Sequence, residues 1–419
     1  MTSAIALRNA ASLATPLGRA ALKGTAQGEI LRIRHAAVRI EGDRIAFAGT
    51  DADYAREYRD RPAEETVDAS GKTLLPGFVD AHTHPVWAGD RGEEIGRRLA
   101  GESYAEIARS GGGILSTVRA TRAATDDALR EAVEGRLARM VAHGTTTVEA
   151  KSGYGLTAAD ELRALRLLAG RSPESAPRVV PTLLAAHEVP PEFRDRRSEW
   201  VRIVADEIVP AAAGQGLARF CDVFCEEGVF SVPESRRILE AARRVGLGLR
   251  VHADELARSG GAGLAAELRA ASADHLLWID REEIAALADS GTVAVILPGT
   301  AWWMGSRRAP ARALIAAGVP VAVASDANPG TCHTESLPAV AAHACLDSGL
   351  SVEETLTAIT LNAAASLGLA DEVGSLEPGK RADVVLLDAP DDRHLIYHWG
   401  VNLVSRVWLG GHEVLGPTT

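Results

Sequence analysis

The chain has 419 residues, 46% of them hydrophobic and 24% charged, with a formal net charge of -11. This is ordinary globular composition, enough for one barrel-sized core and a small extra domain, and it excludes disordered and collagen-like chains. No basic window offers the footprint of a nucleic-acid binder. The first residues hold no apolar core of signal-peptide length, no run approaches the roughly 18 residues that span a bilayer, and four cysteines are too few for a disulfide framework. A cytoplasmic protein with no nucleic-acid or membrane partner is expected.

The first 70 residues read as short strands and turns: an alternating run ILRIRHAAVRI, a turn at EGDR, then IAFAGT. Similar text returns at the far end in GSLEPGKRADVVLLD and LVSRVWLGGHEVL. The two ends are expected to pair into one small β-sandwich domain, residues 1–73 plus 372–419, interrupted by residues 74–371.

Within 74–371, apolar runs alternate with amphipathic stretches such as DALREAVEGRLARMVAH and VPESRRILEAARRV, the rhythm of βα units. The candidate strand ends are TLLPGFVDAHTH, GTTTVEAKSGYG, RVVPTLLAAHEV, RFCDVFCEEGV, LGLRVHADE, SADHLL, TVAVILPGT and VPVAVASDANPG. Eight such units fit a closed (β/α)8 TIM-type barrel of the α/β class, whose parallel strands are apolar on both faces. A long stretch after strand 1, residues 87–125, contains the glycines Gly111 to Gly113 and reads as a lid or pocket wall.

His82 and His84 are two residues apart at the end of strand 1, so both imidazoles leave on one face of the strand. His252 follows strand 5 and Asp326 follows strand 8, which places all four at the C-terminal mouth where barrel sites are assembled. Three imidazoles and a carboxylate suit Zn2+ or iron, with a position left for water. His187 and His275 also stand at strand ends, and Glu255 lies three residues beyond His252. His275 is placed to donate to a developing oxyanion or to orient a ligand. A bridging lysine after strand 4 would signal two metals, but Glu226 and Glu227 stand there, so one metal per chain is expected. Cys221 and Cys225 resemble half a zinc site without a second pair and read as structural thiols.

The segment PGFVDAHTHP together with GSLEPGKRADVVLLD resembles the amidohydrolase superfamily. With AGDR, GGGILSTVRATR, TTTVEAKSGYGL, LLAAHEVP, VHADEL and SDANPGT added, nearly the whole chain is similar to the imidazolonepropionase family of histidine degradation. That resemblance implies hydrolysis of 4-imidazolone-5-propanoate to N-formimidoyl-L-glutamate by metal-activated water. It implies metal ligands at His82, His84, His252 and Asp326, and chemistry at Asp326, His275 and Glu255. It implies substrate contacts at Arg91, Tyr154, His187, Glu255, Asn328, Gly330 and Thr331, and more weakly at Tyr104. It also implies a homodimer. The runner-up reading is another cyclic amidohydrolase or a deaminase with the same metal site, which would not need Arg91; a scaffold protein would have lost ligands that this chain retains.

Overall fold

The computed structural model describes residues 4–102, 104–169 and 177–416. Eight parallel strands follow one another in chain order around a barrel: β1 (Phe78–Asp80), β2 (Thr145–Lys151), β3 (Arg178–Ala186), β4 (Phe220–Cys225), β5 (Gly248–Ala253), β6 (Ser272–His275), β7 (Val293–Ile296) and β8 (Val321–Val323). Every residue of β2, β6, β7 and β8 is buried, as parallel strands covered on both faces require. The barrel closes just past its strand ends through a parallel bridge between Thr83 and Ala327. There His84 N–H donates to Ala327 O and Asp326 N–H donates to His82 O, both at 3.0 Å. The seam is thus stitched by the residues expected to be metal ligands.

The helices take the faces their sequences dictate. Helix Asp126–Ala142 starts at Thr125, whose hydroxyl accepts from Ala128 N–H, and it buries Leu129, Val133, Leu137 and Met140 at steps of three and four. Helix Val232–Arg244 opens with a Ser231–Glu234 capping box and buries Ile238, Leu239, Ala241 and Ala242. Arg136 breaks the apolar pattern for a reason. Its Nη1 donates to Pro85 O at 2.8 Å and Trp87 O at 2.9 Å, while the guanidinium lies 3.4 Å from the centre of the Trp87 ring. Burial pushes it down to about 10, still protonated at neutral pH, so it holds in place the chain that leaves His84.

The stretch after β1 is not a bare loop. It carries the short helices Glu93–Leu99, Tyr104–Arg109 and Ile114–Ala123, and Arg91, Arg109, Gly112, Ile114 and Leu115 from this stretch wall one side of the barrel mouth.

The chain ends build a second, mixed sheet of eight strands. Ala4–Pro16 pairs antiparallel with Ile30–Glu41, which forms a hairpin with Arg44–Thr50 through the EGDR turn. Val384–Leu387, Val404–Leu409 and His412–Leu415 come from the far end. One run differs from its reading in the sequence. Thr73–Pro76 does not open β1; it pairs parallel with Ala4–Pro16 and antiparallel with Val384–Leu387, so it joins the two ends of the chain. Gly77 is where the run changes sheets, and we propose the domain boundary there. The sandwich is one continuous sheet folded over a core that includes Leu13, Ile40, Leu74, Leu386 and Trp408. Its flanks meet where Ala382 N–H donates to Asp43 O and Ile45 N–H to Lys380 O, each at 2.9 Å. Among the described residues, no helix is long and apolar enough to cross a membrane.

Candidate active site

At the C-terminal mouth, one nitrogen each of His82, His84 and His252 falls within 4.8 Å of the others. His82 Nε2 lies 3.3 Å from His84 Nε2, and Asp326 Oδ1 stands 3.5 Å from the first and 3.3 Å from the second. Burial, reinforced by neighbouring positive charge, holds His82 and His84 well below the usual imidazole range, so both are neutral and carry ligating lone pairs.

Buried acids inside the barrel orient these rings. Asp274 Oδ2 accepts from His82 Nδ1 at 2.7 Å, which fixes the tautomer that turns Nε2 toward the cluster. Asp222 Oδ1 accepts from His252 N–H at 3.2 Å, and its Oδ2 lies 3.0 Å from His252 Nδ1, off the line of a hydrogen bond. His252 Nε2 is buried with no hydrogen-bond partner. Lone-pair nitrogens and a carboxylate oxygen crowded together, one nitrogen orphaned, fit a bound cation and little else. The donor set of imidazole nitrogen and carboxylate suits a divalent transition metal.

Two of the cations near the cluster, Lys151 and Arg250, are fully buried. Lys151 Nζ donates to Glu149 Oε1 and Asp222 Oδ2, each at 2.8 Å. Arg250 Nη2 donates to Ala81 O at 2.7 Å and Asp274 Oδ2 at 3.2 Å. Thr300 Oγ1 donates to Asp326 Oδ2 at 2.6 Å, which aims Oδ1 at the histidines.

Around the cluster opens a cleft of about 570 Å³ lined by His84, Arg91, Tyr154, His187, His252, Glu255, His275, Asp326, Asn328 and Thr331. His187 Nδ1–H donates to Gly153 O at 3.0 Å, so Nε2 is its acceptor nitrogen, and burial keeps the ring neutral. Gly153 must be glycine, because its φ is +112° and a Cβ would sit 2.9 Å from His187 Nδ1. Glu255 Oε2 lies 3.5 Å from His275 Nε2, and burial brings His275 down to about 3. Among the described residues, eight non-glycine residues have positive φ, and five of them, Leu156, Asp254, His275, Leu276 and Asp326, stand at or past the C-terminal ends of barrel strands. Backbone strain of this kind collects where function fixes side-chain direction.

The amidohydrolase family model matches residues 73–414. The chain is 51% identical to the imidazolonepropionase of Symbiobacterium thermophilum, over 89% of this chain and 88% of that one. It is 46% identical to that of Porphyromonas gingivalis, over 97% and 96%. The chain belongs to the imidazolonepropionase family. Among solved structures, a zinc-bound adenosine deaminase from Xanthomonas campestris superposes with a TM-score of 0.72 at 20% identity, covering 98% of this chain and 93% of that one. An atrazine chlorohydrolase from Arthrobacter aurescens, also with zinc, gives 0.65 at 20% identity, covering 98% and 95%. These two likenesses extend the fold and stop there.

Most residues singled out by the imidazolonepropionase resemblance converge on this cleft. His82 lies deeper than the lining, on the cluster itself. Gly330 packs on Arg91: a Cβ there would fall 2.1 Å from Arg91 Nη1. Asn328 lines the cleft and also braces its own turn, its Oδ1 accepting from Gly330 N–H and Thr331 N–H at 2.8 Å and its Nδ2 donating to Asp326 O at 2.7 Å. Tyr104 begins helix Tyr104–Arg109, but its side chain lies outside the described residues. Cys221 and Cys225 are free, buried thiols on β4, away from the cluster's donors.

The reading of the sequence missed Asp222, Asp274, Lys151 and Arg250. Their signal was present, since a charged residue inside an apolar buried strand needs a partner. It also missed Arg109, Arg194 and Phe224 in the cleft lining, for which no local pattern existed.

Proposed function

We propose that this chain hydrolyses the ring amide of 4-imidazolone-5-propanoate to N-formimidoyl-L-glutamate. The observation that carries this is one cleft holding both a metal-ligand cluster and a buried arginine, Arg91, a match for a substrate with a ring amide and a carboxylate arm.

His82, His84, His252 and Asp326 would hold one Zn2+ or iron ion. When bound, the ion lowers the proton affinity of water and polarises a carbonyl oxygen. The residues do the rest. Arg91, with Tyr154 and His187, grips the propionate and sets the ring over the cluster. Asp326 Oδ1 takes a proton as water oxygen bonds to the ring carbonyl carbon. His275, neutral, donates to the carbonyl oxygen as it gains negative charge. Glu255 hands a proton to the ring nitrogen as the C–N bond breaks; the new carboxyl group and Asp326 then give up one proton each, one restoring Glu255 and one passing to solvent, so that a carboxylate remains on the former carbonyl carbon. Free thiols, three buried and Cys345 half-buried, and a small-molecule substrate agree with a cytoplasmic setting.

Burial, then the negative Asp326 and Glu226, raise the Glu255 carboxyl well above its usual range. A general acid must carry its proton, so a raised value preserves activity toward neutral pH, and activity is lost as pH rises through it. Glu226→Gln removes one negative neighbour and is expected to move the alkaline limb of kcat toward lower pH. A limb unmoved by this change and still present in Glu255→Gln would place the titration on another group.

The functional assignment is tested by steady-state kinetics on the imidazolone. Arg91→Ala is expected to lower kcat/KM by roughly 10- to 150-fold, the range for one charge-assisted hydrogen-bonded pair. Ammonia release from a cytosine or guanine ring, with no turnover of the imidazolone, would instead establish a deaminase.

A further inference from the structure

Arg91 does not reach the cleft unaided. Its Nε and Nη2 donate to Glu94 Oε2 at 3.0 and 2.8 Å. An exposed pair three residues apart would count for little. Here the two side chains are only 5% and 13% exposed, so water competes weakly for either partner.

The other oxygen of the same carboxylate is used elsewhere. Glu94 Oε1 accepts from Gly113 N–H at 2.8 Å. Gly113 has φ 66° and ψ -160°, a conformation open essentially to glycine alone, and it is the N-cap of helix Ile114–Ala123. A Cβ at the preceding Gly112 would lie 2.9 Å from Glu94 Oε1. Gly112, Ile114 and Leu115 line the cleft. One buried carboxylate therefore joins the arginine on one side of the cleft to the glycine turn that starts its wall.

We infer that Glu94 is a positioning and specificity-determining residue: it holds Arg91 in the orientation that receives a substrate carboxylate and couples that contact to the wall at residues 112–115. The inference rests on the proposed role of Arg91. The Glu94 pairing holds the Nε–Nη2 edge of the guanidinium and so fixes the plane in which Arg91 faces the cleft. Gly330 permits this placement, since any side chain there would strike Nη1. A lysine in place of Arg91 offers a point charge rather than a planar fork, so it cannot be held by Glu94 in the same orientation.

The test compares kcat/KM on the imidazolone propanoate and on its neutral carboxamide analogue. Glu94→Ala is expected to lower the value for the propanoate by roughly 10- to 100-fold, mainly through KM, and to change that for the carboxamide less than about twofold. Glu94→Gln, which keeps an acceptor for Gly113 N–H, recovers part of the loss. A second readout needs no turnover. Imidazole-4-propanoate slows hydrogen exchange at the amides of residues 112–115 in the wild type and not in Glu94→Ala. Equal losses on both substrates would reduce Glu94 to a structural prop, and no loss on either would make it dispensable; both results overturn the inference. If Arg91→Ala discriminates between the substrates while Glu94→Ala does not, the inference falls and the reading of the cleft stands. If Arg91→Ala does not discriminate, both fall.

Discussion

His252→Ala is expected to cut turnover by roughly a thousandfold or more while leaving the barrel folded. His252 supplies one of three nitrogens in the cluster and the one with no hydrogen-bond partner. Removing it takes a ligand from a site whose other donors, just past β1 and just past β8, cannot move to compensate, because they are pinned to each other across the barrel seam. The fold does not depend on the ion as a zinc finger does, since several clusters of buried apolar residues support it. The wild type is expected to carry one tightly bound ion per chain, and His252→Ala less than that under the same dialysis. Asp326→Asn keeps the shape of the side chain and should retain more metal, yet lose activity with the proton acceptor. Metal analysis, circular dichroism and kinetics on the three proteins check this. Near-native turnover in His252→Ala would remove it from the ligand set.

The second large effect is on stability. Lys151 Nζ sits between Glu149 and Asp222, and all three side chains are fully buried. Burial alone would lower the lysine, but Asp222 and Glu149 outweigh it and hold the ammonium raised above its usual value. Lys151→Met leaves two carboxylates facing each other in the barrel interior, with Arg250 Nε 4.0 Å from Glu149 as the nearest remaining cation to that residue. Breaking a buried pair in this way costs about 3–5 kcal/mol. A fall in Tm of several degrees is expected, together with a lower denaturant midpoint at unchanged slope. Glu149→Gln added to Lys151→Met removes one of the stranded charges and should restore part of the loss, a non-additivity confined to residues in contact. If the two losses simply add, the triad is not energetically coupled.

The barrel was legible because its signals are local. Each strand is a short apolar run ending in a polar cluster, and each helix announces itself by a cap and a three-four rhythm. The small sheet was legible in kind but not in connectivity. Nothing in TLLP says whether it pairs with a neighbour at residue 148 or a partner at residue 385; both surroundings are apolar, and the choice rests on contacts more than three hundred residues away. The candidate ligands were visible because strand alternation puts His82 and His84 on one face. The orienting acids were not read, although Asp222 in FCDVFC and Asp274 in SADH sit where only a buried partner makes a charge tolerable. Glu94 left no trace, since an acid three residues after AGDR in what reads as a loop looks like any solvated charge.

The place of Thr73–Pro76 in the small sheet has a consequence for biosynthesis. This strand is made early and its antiparallel partner, Val384–Leu387, about 310 residues later. At synthesis rates of about 5–20 residues per second, it waits roughly 15 to 60 seconds for that partner. Throughout that interval Leu74 and Leu75, fully buried in the finished protein, belong to an apolar edge that the ribosome has not yet supplied with a neighbour. The barrel can close first, with the sheet left open beside it. A nascent chain stalled short of residue 384 would therefore carry the residues of the barrel mouth beside an uncovered, aggregation-prone edge, which only Val384–Leu387 covers.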